Sequence, residues 1–255
     1  MHVACCQFDI AWEGKPANYR KVAALVRAAG PEPGTLLLLP EMFATGFSMN
    51  TAVTAEPPDG PTAGFMADLA KEHSLYVLGG AVVIDPVSGR PRNEAMSFGP
   101  GGNLVARYAK TYPFSLAREH EHHAAGDACA AFDWAGWNVS PAVCYDLRFP
   151  ELFRRSAGQG AQLLPVIANW PVAREAHWVT LLRARAIENQ AYVAGCNRVG
   201  RDGNGLEHSG RSQVIDFGGN VLADAEGRET VISAAVDLGA LRAYRKALPF
   251  LADMR

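Results

Sequence analysis

VSPAVCYDLRFPELFRR, residues 139–155, is the stretch on which the reading of this chain turns. An apolar run ends at Cys144, the short polar turn Tyr145-Asp146-Leu147-Arg148 follows, and Pro150 opens an amphipathic segment. Proline suits a helix's first turn, where its missing N–H has no intrahelical partner. The stretch therefore reads as strand, sharp turn, helix, with a thiol at the strand's end. A thiol near a helix N-terminus sits in positive potential, which favours the nucleophilic thiolate. The competing reading is a small buried hydrophobe, the usual place of a free cysteine.

Working outward, the same alternation recurs. Val3 to Ile10 is strand-like, Asn18 to Ala29 puts Val22, Leu25, Val26 and Ala29 on one helical face, and Gly30-Pro31 ends it. TLLLLP, residues 35–40, is the continuous apolar run of a strand buried on both faces. A helix marked by Phe65, Met66, Leu69 and Ala70 leads to strands at Leu75 to Ile84, Asn93 to Phe98 and Leu104 to Ala109. Thr111 to Asp127 is rich in His and charge and lacks periodicity. Strands return at Cys129 to Trp134 and Trp137 to Cys144. Beyond the quoted stretch come a strand at Gln162 to Ala168 and a helix at Arg174 to Gln190. Strands follow at Tyr192 to Cys196, Ser212 to Phe217, Val221 to Ala223 and Thr230 to Val236, then a terminal helix from Leu238 to Leu248. No linker divides the chain. Hairpins and helical crossovers mixed along it predict one two-sheet α/β domain over residues 1–255, with helices on the outer faces.

Bulk properties narrow the function. The chain has 255 residues, 49% hydrophobic and 20% charged, as in an ordinary globular protein. A net charge of -2 gives no electrostatic case for nucleic acid or an anionic membrane. No apolar run approaches the roughly 18 residues of a membrane helix, and the N-terminus reads as a first strand rather than a signal peptide. Five cysteines without framework spacing point to a reducing compartment, so the cytoplasm is expected.

Three polar residues directly follow strand-like runs: Glu41 after LLLLP, Lys110 after LVARYA, and Cys144 after PAV. Strand ends are where catalytic groups collect in layered α/β proteins. Alone, Glu41 reads equally as a loop cap and Lys110 as a surface lysine. Together they form a chemical set: a carboxylate takes the thiol proton, the thiolate attacks a carbonyl, and the ammonium stabilises the oxyanion.

LPEMF around Glu41, YAKTYPF around Lys110 and CYDLRFPE around Cys144 resemble the three catalytic blocks of the nitrilase superfamily of carbon–nitrogen hydrolases. VACCQFDI, ANWP, LLRARAIENQAYV, NRVG and HSGRSQVIDFGGNVL extend the resemblance nearly end to end. It implies an α-β-β-α sandwich, two mixed sheets flanked by helices, commonly a homodimer through one helical layer. It further implies Glu41 as general base, Cys144 as nucleophile, and Lys110 with the Tyr145 backbone N–H at the oxyanion, without metal or organic cofactor. An auxiliary glutamate is expected some seven residues before a Gly-Asp pair; Gly126-Asp127 points to Glu119, with Glu121 as competitor. Many relatives carry His where this chain has Tyr112. His120, His122 and His123 invite a metal reading, but H-E-x-x-H would need His at 124, which is alanine. A polar loop at the pocket mouth is the expectation.

PEMFATGFSMN and the REHEHH stretch resemble the ω-amidase branch, which implies a keto-acid monoamide such as 2-oxoglutaramate or 2-oxosuccinamate. An aliphatic amide or an N-carbamoyl compound is the alternative, and a non-catalytic binding protein on the same fold is the rival from another class. Such a substrate needs apolar walls, for which Phe43, Phe114, Tyr145 and Trp170 are candidates. Its carboxylate needs a cation, for which Arg174 and Arg118 are candidates. Arg148 is a third, with an ion pair to Glu151 or another acid as its expected structural role.

Overall fold

The computed structural model describes residues 1–254. The first half supplies strands β1 (His2–Gln7), β2 (Leu36–Leu38), β3 (Ala55–Glu56), β4 (Tyr76–Ile84), β5 (Pro91–Phe98) and β6 (Leu104–Ala109). The second supplies β7 (Phe132–Trp134), β8 (Trp137–Val139), β9 (Ala142–Val143), β10 (Leu163–Ile167) and β11 (Tyr192–Cys196). It continues with β12 (Val199–Arg201), β13 (Glu207–Ser209), β14 (Gln213–Ile215), β15 (Val221–Asp224) and β16 (Thr230–Ala235). Helices are α1 (Lys15–Ala29), α2 (Thr51–Thr54), α3 (Pro61–His73), α4 (Glu119–His122), α5 (Pro150–Gly158), α6 (Glu175–Asn189) and α7 (Leu238–Ala247).

Two mixed sheets result. The first runs β16-β1-β2-β4-β5-β6 with β3 beside β4; the second runs β15-β14-β11-β10-β8-β7 with β9 beside β10. Each has a parallel centre, β1/β2/β4 in one and β9/β10/β11 in the other. Parallel neighbours need crossovers, and α1, α3, α5 and α6 provide them. This is why helix and strand patterns alternate in both halves of the sequence.

Side-chain alternation sets the layers. Val3 and Cys5 of β1 and Leu36 and Leu38 of β2 share a core with the second sheet, while Ala4, Cys6, Leu37 and Leu39 join Val22 and Val26 of α1 and Met66 and Leu69 of α3. On the far side, Phe153 of α5 and Trp178, Leu182 and Ala186 of α6 cover β10 and β11. Helix, sheet, sheet, helix is the order, as in the expected sandwich.

Three local readings change. The strand expected over Trp137 to Cys144 breaks into β8 and β9 at Ser140-Pro141, because proline cannot donate to a ladder and ends pairing there. Cys144 does not sit at a helix N-terminus: it begins a 3-10 turn, Cys144–Arg148, and α5 starts only at Pro150. The hairpin β12–β13 falls in a stretch too polar and glycine-rich to show a strand period.

Candidate active site

Glu41 leaves β2 and tucks against Gly80 of β4. A Cβ at Gly80 would stand within 2.6 Å of Glu41 Cα and inside contact distance of Met42 N, so only glycine lets the Glu41 backbone approach the sheet this closely. Lys110 continues β6, its N–H donating to Asn93 O at 2.8 Å. Cys144 holds the left-handed backbone region at φ +50, which costs a residue with a Cβ roughly 1–2 kcal/mol.

Asp146 offsets that strain. Its buried carboxylate accepts from Val143 N–H at 2.9 Å, Tyr112 N–H at 2.9 Å and Tyr108 Oη at 2.8 Å. A hydrogen bond to a charged group contributes about 1.5–3 kcal/mol, so even one of the three matches the strain. The bonds also tie the nucleophile turn to the residues on either side of Lys110. Burial raises the Asp146 carboxyl to about 6, against the pull of its donors and of Lys110.

The charged residues form a closed buried group. Lys110 Nζ donates to Glu41 Oε1 at 2.9 Å and to Glu119 Oε2 at 2.8 Å. Asn93 Nδ2 donates to Glu41 Oε1 and to Glu119 Oε1, both at 2.8 Å. Phe114 N–H adds a 2.6 Å bond to Glu119, and Asn169 N–H a 2.9 Å bond to Glu41 Oε2. Burial opposes the Lys110 charge, but Glu119 and Glu41 outweigh it and lift its pKa well above the usual lysine range. Burial likewise opposes the Glu119 charge, yet Lys110, His123 and Asn93 pull its pKa down to about 2. For Cys144, burial and the Glu41 charge push the pKa well up against the opposing pull of Lys110. These surroundings favour the neutral thiol, in place of the thiolate expected from a helix N-terminus.

Both glutamates of the RExE stretch are now placed. Glu119 is fully buried on Lys110, whereas Glu121 is exposed and pairs with Arg118 at 2.8 Å. His123 is buried 3.6 Å from Glu119, and His120 and His122 are exposed. No group of three His, Cys, Asp or Glu able to hold a metal ion occurs among the described residues.

A cavity of about 510 Å³ opens on Glu41 and Cys144. Phe114, Tyr145, Trp170 and Arg174 line it as expected. Phe43 does not. It is fully buried against Tyr19 and Phe65 under α3, and Phe47, four residues on, forms the wall instead, with Lys110 Nζ 5.2 Å from its ring centre. Glu41 to Ser48 follows no strand or helix period, so its facing residues were not legible. Arg118, tied to Glu121, stays outside, while Arg148 lines the cavity, its guanidinium 4.8 Å from the Trp170 ring and 3.2 Å from His177 Nδ1. The Arg148–Glu151 pair does not form, because Glu151 accepts from Tyr112 Oη at 3.2 Å. Tyr112, at the position where His was the common alternative, stacks on Phe149 at 3.7 Å. Sequence reasoning missed Asn93, Asp146 and Asn169, whose roles lie in cross-strand hydrogen bonds. The quoted motifs ANWP and CYDLRFPE contain Asn169 and Asp146, but no motif pointed to Asn93.

The comparisons agree with this geometry. Residues 2–246 match the carbon-nitrogen hydrolase family model. The protein named omega-amidase YafV of Yersinia enterocolitica is 40% identical over 97% of this chain and 94% of its own length. A 2-oxoglutaramate amidase of Bacillus subtilis is 34% identical, covering 99% and 97% respectively. The crystal structure of XC1258 from Xanthomonas campestris, a CN-hydrolase superfamily protein with an arsenic adduct in its active site, superposes with a TM-score of 0.93 at 34% identity, over 100% of this chain and 97% of that one. With the sandwich, the buried acid–lysine group and the cavity thiol on one scaffold, the chain belongs to the carbon–nitrogen hydrolase family.

Proposed function

We propose that this protein is an ω-amidase, hydrolysing the terminal amide of a short 2-oxo dicarboxylic monoamide such as 2-oxoglutaramate or 2-oxosuccinamate. The observation that carries the substrate class is the pair Arg148 and Arg174, two guanidiniums on the wall of the cavity that holds Cys144. Arg148 lies over Trp170, and Arg174 stands 5.7 Å from the Phe114 ring. Neither pairs with an acid among the described residues; Arg148 meets His177 Nδ1 through one nitrogen, and the remaining N–H groups of the two guanidiniums can meet a carboxylate. Phe47, Phe114, Tyr145 and Trp170 give the carbon chain its apolar slot. The names of the relatives from Yersinia enterocolitica and Bacillus subtilis support the same class.

The chemistry follows from the buried group. Glu41 takes the Cys144 proton as sulfur attacks the amide carbon. The oxyanion meets Lys110 Nζ and the N–H of Tyr145, the second residue of the Cys144–Arg148 3-10 turn, whose first N–H groups lack intrahelical partners. Protonated Glu41 returns the proton to nitrogen, the C–N bond breaks and ammonia leaves. Glu41 then deprotonates water, which attacks the thioester carbonyl; the carboxylate product departs and the thiol is restored. Glu119 holds Lys110 in place throughout.

The five cysteines are free thiols, which suits a reducing compartment such as the cytoplasm. The working assembly is a homodimer through one helical layer, measurable by sedimentation. The activity is tested by ammonia release from a panel of keto-acid monoamides, N-carbamoyl amino acids, aliphatic amides and nitriles. Turnover of 2-oxoglutaramate or 2-oxosuccinamate at the highest kcat/KM is expected; preference for a carbamoyl compound or a nitrile would overturn the assignment.

A further inference from the structure

Asn93 touches every member of the buried charged group. Its main-chain carbonyl accepts from Lys110 N–H at 2.8 Å, where β5 lies beside β6. Its side-chain amide spends both hydrogens on the two carboxylates, Glu41 and Glu119. The result is a closed ring, Lys110 to Glu41 to Asn93 to Glu119 and back to Lys110, with all four residues at most 2% exposed.

Charge explains why the fourth corner is an amide. Two carboxylates share one ammonium in a dry site, with the buried His123 ring 3.6 Å from Glu119 as the other titratable neighbour. Two buried carboxylates so arranged ordinarily share a proton, one pKa rising strongly. A shared proton would occupy the oxygens that Glu41 needs for the thiol proton. Asn93 supplies one donor to each carboxylate and adds no charge. A lysine in its place would neutralise the pair but compete with Lys110.

A second observation points the same way. Asn93 Oδ1 is buried without a hydrogen-bond partner, an arrangement that folded proteins rarely tolerate. Turning the amide over would not relieve it, since Oδ1 would then face two carboxylate oxygens. The amide is held by the carboxylates and the orphaned oxygen is the cost of that orientation.

We propose that Asn93 is a positioning residue of the reaction, holding Glu41 and Glu119 on opposite sides of the Lys110 ammonium so that Glu41 keeps its place as base and Lys110 its place at the oxyanion. This rests on the reading of Glu41, Lys110 and Cys144 as the catalytic set. Loss of the amide unlinks the two carboxylates and lets Lys110 drift from the oxyanion site.

The test uses the full chain with the panel amide it turns over fastest. Asn93→Ala lowers kcat by about 100-fold, the scale of a catalytic group misplaced by an ångström, with KM within threefold. Asn93→Asp gives the distinguishing signature. As a carboxylate it adds a third negative charge around one lysine, and only when protonated does it offer an O–H donor. Its relative activity against wild type therefore climbs as pH falls from 8 to 6. An Asn93→Ala enzyme within threefold of wild type in kcat would overturn the proposal. So would an Asn93→Asp enzyme whose activity relative to wild type is flat across that pH range, which is what a merely structural role predicts; this arm also decides the matter should Asn93→Ala not fold. Cys144→Ala runs alongside. Turnover by that variant would sink the catalytic reading itself, whereas an inactive Cys144→Ala beside an active Asn93→Ala sinks only the role of Asn93.

Discussion

At Cys144 the local chemistry works against spontaneous reactivity. Burial and the Glu41 charge hold its sulfur as a thiol, so activation requires that Glu41 be able to receive a proton. Glu41→Gln keeps the shape and most hydrogen bonds but removes the base; kcat falls by about 100-fold or more, and iodoacetamide alkylation of Cys144 slows in parallel, read by mass spectrometry. Alkylation at the wild-type rate in that variant would mean another base. Glu119 gives a stability prediction. Its pKa is lowered from 4.5 to about 2, so the ionised form is stabilised by folding. That contribution is fully present above pH 4.5 and is lost as pH falls through about 2. Glu119→Gln should flatten the dependence of Tm on pH over that window, and an unchanged slope would contradict the assignment. Glu41, Lys110 and Cys144 were legible because each ends a strand inside a contiguous motif. Asn93 and Asp146 were not, because they act on neighbours that are distant in sequence. Phe43 was mistaken for Phe47 because an aperiodic loop does not reveal which aromatic faces inward.

Among elements, β4 and the β12–β13 hairpin show opposite cases. The close seat of Glu41 on β4 depends on Gly80. Gly80→Ala forces the Glu41 backbone away from the sheet; we expect roughly 1–3 kcal/mol of destabilisation, the usual cost of overpacking, together with a fall in kcat. Equal Tm and kcat to wild type would mean that the loop relaxes freely. The hairpin carries His208 into the cavity wall. Burial, helped by the nearby Arg198 charge, lowers its pKa from 6.5 to about 4. The fold therefore favours the neutral ring, and this contribution is present above pH 6.5 and lost as pH falls through about 4. His208→Gln should remove the part of the acid destabilisation that falls between those values, visible as a flatter Tm profile. The parallel centres of both sheets were readable from their apolar runs and crossover helices. The hairpin was not, since its residues, including Asp202 accepting from Asn204 N–H and Leu206 N–H, satisfy turn geometry rather than a two-residue period.

Over the whole molecule, the site lies where the two sheets meet. Glu41, Asn93, Lys110 and Glu119 come from the first sheet and its loops, Cys144 and Asn169 from strand ends of the second. Cys5, Cys6 and Cys196 lie fully buried between or beneath the sheets, and Cys129 is half-buried. Burial therefore leaves Cys144 and Cys129 as the reachable thiols of the native protein; with Glu41 to take its proton as proposed, Cys144 should be the first that iodoacetamide modifies, with all five adducts appearing only after denaturation. Early labelling of Cys196 would mean that the sheets separate readily. Last in sequence order among the strands of the first sheet, Thr230–Ala235 pairs along the whole of His2–Gln7. A chain that stops short of Thr230 has made Glu41, Lys110 and Cys144 but leaves the outer edge of His2–Gln7 unpaired, a row of free N–H and C=O groups on which another chain can add a strand.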